Sequence, residues 1–270
     1  MKNFIVRALS GLILAFILVG GIVYSPLTSF IVLAIIGLGS LMELGKLLQE
    51  AGVQTMRIYV FVSALIILAL QLINILSIDY IVSLHQALVI ILLLFITRCV
   101  VELYRKRDFP FESVAHEIFA LIYTIVPILI LNSIPDFRYV LILFFVVWAN
   151  DVAAYIVGSL LGKNKLCERI SPKKSWEGFI GGLVMGSVMA GVGAWLIDSD
   201  DLLTWCAMGF ITSLAGVGGD LFESMYKRSI SIKDSGNTIP GHGGFLDRFD
   251  ALFFAAPVFY ILLILTGLLN

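Results

Sequence analysis

The sequence predicts an all-α, polytopic integral membrane protein with about nine transmembrane helices. Hydrophobic residues make up 60% of the 270-residue chain and charged residues 14%, whereas soluble domains are about 45–50% apolar and about a quarter charged. The mean hydropathy is +1.02. Nine apolar runs approach the ~20 helical residues that a bilayer crossing needs. They lie near 8–24, 27–48, 58–76, 80–101, 114–132, 139–161, 177–197, 202–223 and 251–269.

The composition also excludes several functional classes. The chain has 18 Lys and Arg residues against 19 Asp and Glu residues, so no overall positive field exists to attract nucleic acid. The three cysteines are Cys99, Cys167 and Cys206, and none has a C-x-x-C partner, which indicates free thiols. The first apolar run follows Lys2 and Arg7 but contains no small-residue cleavage site, so we expect a retained helix rather than a signal peptide.

Basic residues near the ends of the apolar runs predict the orientation. With nine spans and a cytoplasmic N-terminus, every Lys and Arg except Arg138 falls on the cytoplasmic side, where such residues are enriched. We therefore expect the C-terminus outside. Two longer cytoplasmic segments, about 162–176 and 224–250, carry most of the unusual polar residues.

The chain is expected to divide into two regions. Residues 1–135 form about five N-terminal spans, and residues 136–270 form the C-terminal region that holds the polar motifs. The seventh span carries small residues at four-residue spacing, which predicts close helix packing. They are Gly178, Gly182, Gly186, Ala190 and Ala194, and Gly158 and Gly162 are interpreted in the same way.

Charged residues inside the apolar runs are candidates for function. A charge at the middle of a membrane costs about 2.5–3.5 kcal/mol on insertion scales, so it is normally functional or paired. Asp151 lies near the centre of the sixth run. In the eighth run, Asp220, Glu223, Ser224 and Lys227 are spaced so that they share one helical face. The alternative to a functional site is a buried network of salt bridges.

The segment 224–250 combines glycines with charged residues. Its stretch Pro240-Gly241-His242-Gly243-Gly244 can turn backbone N–H groups toward one point, as anion-binding nests do. Neighbouring carboxylates suit Mg²⁺, which is usually held by one or two carboxylates together with substrate phosphates. The combination predicts chemistry on a phosphorylated substrate, and the alternative is a solvated charged loop at the membrane surface.

The segment before the seventh run is open to two interpretations. It reads Ser171-Pro172-Lys173-Lys174-Ser175-Trp176-Glu177-Gly178. Ser175 is predicted to cap the helix, which leaves the first N–H groups and the two lysines available to a phosphate. Positive-inside topology alone also predicts lysines at this place.

These motifs resemble the signature of the phosphatidate cytidylyltransferases, also called CDP-diacylglycerol synthases. The matching residues are Ser224-x2-Lys227-Arg228-x4-Lys233-Asp234 and Pro240-x-His242-Gly243-Gly244-x2-Asp247-Arg248-x-Asp250. The stretches around Asn150-Asp151 and 171–178 are also similar, with Ser175 where the family commonly has Thr. The resemblance covers roughly residues 140–260.

The resemblance implies a bacterial inner-membrane enzyme, a homodimer, that transfers the cytidylyl group of CTP to phosphatidic acid and releases pyrophosphate. It implies Mg²⁺ as cofactor, with K⁺ as a candidate second cation. Asp220 and Asp247 match the metal-holding carboxylates, and Glu223, Asp250 and Asp151 are further candidates.

The other expected site residues follow from their charge and position. Phosphatidate is largely dianionic at neutral pH because its second pKa is near 6, so it can attack the α-phosphorus of CTP in line without a catalytic base. Catalysis then rests on positioning and charge. Beside the two aspartates, the expected catalytic residues are Lys227, Arg228, His242 and Arg248. The expected substrate-binding residues are Ser171, Lys173, Lys174, Ser175, Ser224, Lys233, Gly243 and Gly244.

Two other functions compete with this interpretation. An ion- or anion-coupled secondary transporter also has intramembrane carboxylates, but its site should lie near the membrane midplane, whereas these charges concentrate at one face. A lipid kinase that uses CTP is the nearer alternative. Labelled CTP separates the three, because only a cytidylyltransferase moves the cytidine ring onto lipid.

Overall fold

The computed structural model describes residues 2–76, 84–105, 109–236, 238–239 and 243–269, and they form helices and one short hairpin. The helices of this described part are α1 (Lys2–Tyr24), α2 (Pro26–Glu50), α3 (Arg57–Leu76), α4 (Leu84–Leu103), α5 (Pro110–Asn132), α6 (Phe137–Leu161), α7 (Trp176–Leu196), α8 (Leu202–Ser229) and α9 (Leu246–Leu265). The strands β1 (Lys165–Cys167) and β2 (Ser171–Ser175) pair antiparallel between α6 and α7.

The all-α, polytopic membrane fold is confirmed. Within the described residues, seven helices, α2, α3 and α5 to α9, are long and apolar enough to cross a membrane. The count of nine spans and the orientation stay predictions. Two helices extend beyond their predicted spans into the segment 224–250, because α8 continues to Ser229 and α9 begins at Leu246. Much of the charged signature is therefore helical rather than loop.

The chain forms two compact units. The first consists of Met1–Leu129 and Ser235–Leu246, and the second of Ile130–Asp234 and Asp247–Asn270. The predicted division into 1–135 and 136–270 remains a prediction. In the first unit α2 lies close to α5, where a methyl group on Gly37 would come within 2.9 Å of the Ile128 side chain.

A buried ionic cluster also stabilises the first unit. The Arg98 guanidinium, 3% exposed, lies 2.7 Å from the Glu102 carboxylate and contacts Glu117. Glu117 in turn accepts a hydrogen bond of 2.6 Å from the backbone N–H of Met56, just before α3. These contacts join α4 and α5 to the start of α3, and pairing reduces the cost of burying the charges.

The second unit has a core of large apolar side chains together with very close helix contacts. Trp205 and Phe259 are fully buried. A methyl group on Gly178 would lie 2.6 Å from the Ala154 carbonyl oxygen of α6, and one on Gly209 would lie 2.7 Å from the Gly186 carbonyl oxygen of α7. The small residues therefore let α6, α7 and α8 approach closely, and the packing prediction is confirmed.

The basic residue that departs from the predicted charge asymmetry is neutralised locally. Arg138 donates hydrogen bonds to both carboxylate oxygens of Asp136 at 2.6–3.0 Å, and Asp136 also caps the N-terminus of α6. The hydrogen bonds from Arg138 hold the pKa of the Asp136 carboxyl below its usual value. Arg138 therefore adds little net positive charge at this end of α6.

Candidate functional site

The polar face predicted for the eighth run forms on α8 and is paired with α9. The Lys227 ammonium lies 2.7 Å from Oδ1 of Asp247 and also contacts the Glu223 carboxylate one turn earlier. Lys227 is 8% exposed and Glu223 only 2%. The salt-bridge network that the sequence left as an alternative therefore exists, and it is built from residues of the signature.

The lysines before α7 are brought to the same helix. Lys174 on β2 places its ammonium 2.6 Å from Oδ2 of Asp220, and the Ser224 hydroxyl is 3.3 Å from Oδ1 of that residue. Positive-inside topology does not require such a contact. The geometry thus favours a site role for Lys174, whereas Lys173 on the same strand is exposed.

The hairpin that carries Lys174 is fixed at both ends. Ser175 caps α7, because its hydroxyl accepts a hydrogen bond of 3.2 Å from the Gly178 N–H, as predicted. The Glu177 carboxylate accepts bonds from the backbone N–H groups of Lys163 and Asn164 at 3.1 and 3.3 Å. A methyl group on Gly162 would lie 2.6 Å from the Ser175 hydroxyl. Both ends of the β1–β2 segment are therefore held against α7.

Negative charge is in excess within this unit. The carboxylates of Asp151, Asp220, Glu223 and Asp250 lie close enough to repel one another. The Asn150 amide nitrogen donates to Asp151 at 3.3 Å. Hard oxygen donors with surplus negative charge fit Mg²⁺. Among the described residues no three metal-ligating side chains converge as a preformed cage, so the ion would need substrate phosphates as additional ligands.

The remaining predicted residues are placed as follows. Arg228, at the end of α8, donates to the Ile232 carbonyl at 3.0 Å. Lys233 and Arg248 are exposed, and Ser171 is half-buried on β2. His242 lies outside the described residues.

The glycine-rich loop belongs to the first unit, where it contacts α2. Glu43 of α2, 3% exposed, accepts hydrogen bonds from the Ser235 hydroxyl at 3.1 Å, the Thr238 hydroxyl at 2.6 Å and the backbone N–H of Leu246 at 2.9 Å. A methyl group on Gly244 would lie 2.2 Å from Oε2 of Glu43. Gly244, predicted to bind substrate, is thus a buried packing position against this carboxylate.

Comparison with known proteins identifies the family. The model of the Cytidylyltransferase family matches residues 5–266. The chain belongs to this family. A phosphatidate cytidylyltransferase of Staphylococcus haemolyticus is 47% identical over 129 residues, which cover 47% of this chain and 49% of that protein. One from Aquifex aeolicus is 46% identical over 125 residues, covering 46% and 47%. The chain thus spans about half the length of the curated relatives it matches.

Family membership confirms the resemblance drawn from the signature and extends it to the N-terminal helices. In this cytidylyltransferase, Glu43 is the site residue that the motifs missed. A signal for it existed, because Glu43 is a charged residue inside the second apolar run, 27–48. The cost of burying a charge, which pointed to Asp151 and Asp220, applies equally to Glu43.

Proposed function

We propose that the protein transfers the cytidylyl group of CTP to phosphatidic acid, giving CDP-diacylglycerol and pyrophosphate. The observation that carries the proposal is the pairing of Lys227 with Asp247. The two residues stand 20 positions apart in the family signature, and their charged atoms lie 2.7 Å apart on α8 and α9. The names of the curated relatives support phosphatidate as the acceptor.

The lysines of this site are suited to binding phosphate. Lys174 and Lys227 are held by carboxylates in the ligand-free chain, so their ammonium groups are already oriented and lose little side-chain entropy when phosphate oxygens approach. We infer that Arg228, Lys233, His242 and Arg248 add positive charge around the transferred group. Arginine suits bidentate phosphate contacts and lysine a point charge.

The nucleophile is supplied by the substrate. The dianionic phosphate of phosphatidate attacks the α-phosphorus of CTP in line, and the bond to the pyrophosphate oxygen breaks, so the chain needs no catalytic base. Asp220 and Asp247 would hold Mg²⁺, with Glu223, Asp250 and Asp151 as further ligands and K⁺ as a candidate second cation. When bound, Mg²⁺ neutralises charge on the leaving pyrophosphate.

The site also fits a substrate pair of mixed solubility. CTP is soluble and phosphatidate is confined to the bilayer, so a site at the end of membrane helices is reachable by both. We infer that this end faces the cytoplasm of a bacterial inner membrane, which requires a cytoplasmic N-terminus, and that the protein is a homodimer as the family resemblance implies.

Product analysis with labelled CTP tests the proposal. The purified protein is incubated with phosphatidate vesicles, Mg²⁺ and CTP labelled either in the cytidine ring or in the γ-phosphate. We expect ring label in the lipid fraction and γ-label in pyrophosphate. Label reaching lipid only from the γ-phosphate would show a lipid kinase, and no label in lipid from either position would contradict group transfer. The Asp220→Asn variant is the negative control.

A further inference from the structure

Glu43 is a buried carboxylate that the mechanism above does not use. It lies on an otherwise apolar helix and is 3% exposed. Burial of a carboxylate is costly unless its oxygens receive hydrogen bonds. The three donors that the structure describes, Ser235, Thr238 and Leu246, all belong to the segment 235–246. Glu43 therefore interacts with the glycine-rich loop at both of its ends.

The loop is shaped to fit this carboxylate. Gly236 and Gly244 approach it so closely that added methyl groups would lie 3.0 and 2.2 Å from its oxygens. Between them the Ile239 N–H donates to the Gly243 carbonyl at 2.8 Å, which closes the hairpin. Gly243 has a φ of +88°, a conformation that favours glycine.

Glu43 also acts on the start of α9. Leu246 is the first residue of that helix, and its N–H is one of the groups that no helical carbonyl can satisfy. A carboxylate at this position accepts the bond and interacts favourably with the helix dipole. The next residues along α9 are Asp247 and Arg248 of the signature. One carboxylate therefore fixes both the loop and the point at which the signature helix begins.

We propose that Glu43 is a positioning residue that pre-organises the loop 235–246 for the triphosphate of CTP. A carboxylate repels phosphate, so Glu43 acts through the backbone it holds rather than by contact with substrate. Binding weakens in proportion to the fraction of molecules in the competent conformation. If loss of the carboxylate leaves about one loop in ten correctly folded, the apparent affinity falls about tenfold. The inference rests on the proposed function.

The test compares Glu43→Gln with Glu50→Gln in the full-length protein. Glutamine has nearly the same size but only one acceptor oxygen, so it cannot satisfy all three donors. Glu50 is exposed at the end of the same helix and serves as the matched control. We expect Glu43→Gln to raise KM for CTP about tenfold and to change kcat at saturating substrates less than threefold. KM for phosphatidate should stay constant, and Glu50→Gln should match the wild type.

A conservative variant and a double-mutant cycle separate positioning from mere stability. Glu43→Asp keeps the charge and should recover part of the affinity for CTP. Thr238→Val removes one donor, and its effect on KM should not add to that of Glu43→Gln, because both changes break the same contact. If Glu43→Gln fails to fold, Thr238→Val alone should still raise KM for CTP.

An activity-independent measurement completes the test. Hydrogen exchange of the loop amides should be faster in Glu43→Gln than in the wild type and in Glu50→Gln. Unchanged exchange, or a lower thermal midpoint with an unchanged KM for CTP, would overturn the proposal. A wild-type protein that transfers no cytidylyl group would instead overturn the proposed function, so the two failures are distinguishable.

Discussion

Replacing Lys227 by methionine tests whether the ion pair of the site is also structural. Methionine keeps most of the apolar stem but removes the ammonium, which leaves Glu223 and Asp247 without the cation that both contact. Glu223 is only 2% exposed, so water cannot replace the lysine. Breaking a buried pair by removing one partner costs about 3–5 kcal/mol. We expect a loss of stability in this range.

The measurement is an unfolding titration with denaturing detergent in mixed micelles. Lys165→Met, at an exposed position on β1, is the control and should change the free energy of unfolding by less than about 0.5 kcal/mol. The double variant Lys227→Met/Glu223→Gln removes one uncompensated charge and should recover more than half of the loss, without recovering activity. If Lys227→Met unfolds like the wild type, the reasoning about a buried counter-ion is wrong.

Three further predictions concern packing, the carboxylates and pH. Gly178→Ala should cost about 1–3 kcal/mol, because its methyl group meets the α6 backbone, whereas Gly218→Ala, with open space around it, should cost nothing in the same titration. Asp220→Asn should abolish cytidylyl transfer in the labelled-CTP assay while circular dichroism stays unchanged; near-normal turnover would contradict its role. With saturating CTP the rate should fall as pH drops through about 6, because phosphatidate becomes monoanionic. His242→Asn should keep this limb, and its disappearance would implicate the histidine.

Periodicity and spacing predicted much of the fold and part of the site. The apolar runs predicted the membrane helices, because every residue in a bilayer-spanning helix must satisfy the same solvent. The spacing of Asp220 to Lys227 predicted one helical face, since it follows the helical repeat. The cap at Ser175 followed from local chemistry alone.

The interactions between distant segments were not predictable in the same way. The contact of Lys174 with Asp220 requires a hairpin to meet α8, and no local pattern determines that approach. Glu43 and the loop it holds are almost 200 residues apart. Their association depends on the packing of α2 with segment 235–246, so a survey of motifs in the C-terminal half did not include it.

The close packing of α6, α7 and α8 has a consequence for how a lipid enters. Where Gly178 meets Ala154, and where Gly209 meets Gly186, there is no room for one additional methyl group. An acyl chain is wider than a methyl group, so neither seam can serve as a lateral gate unless the helices separate. These three helices act as a closed wall toward the hydrocarbon, and a diacyl substrate must reach the charged end of α8 by another side.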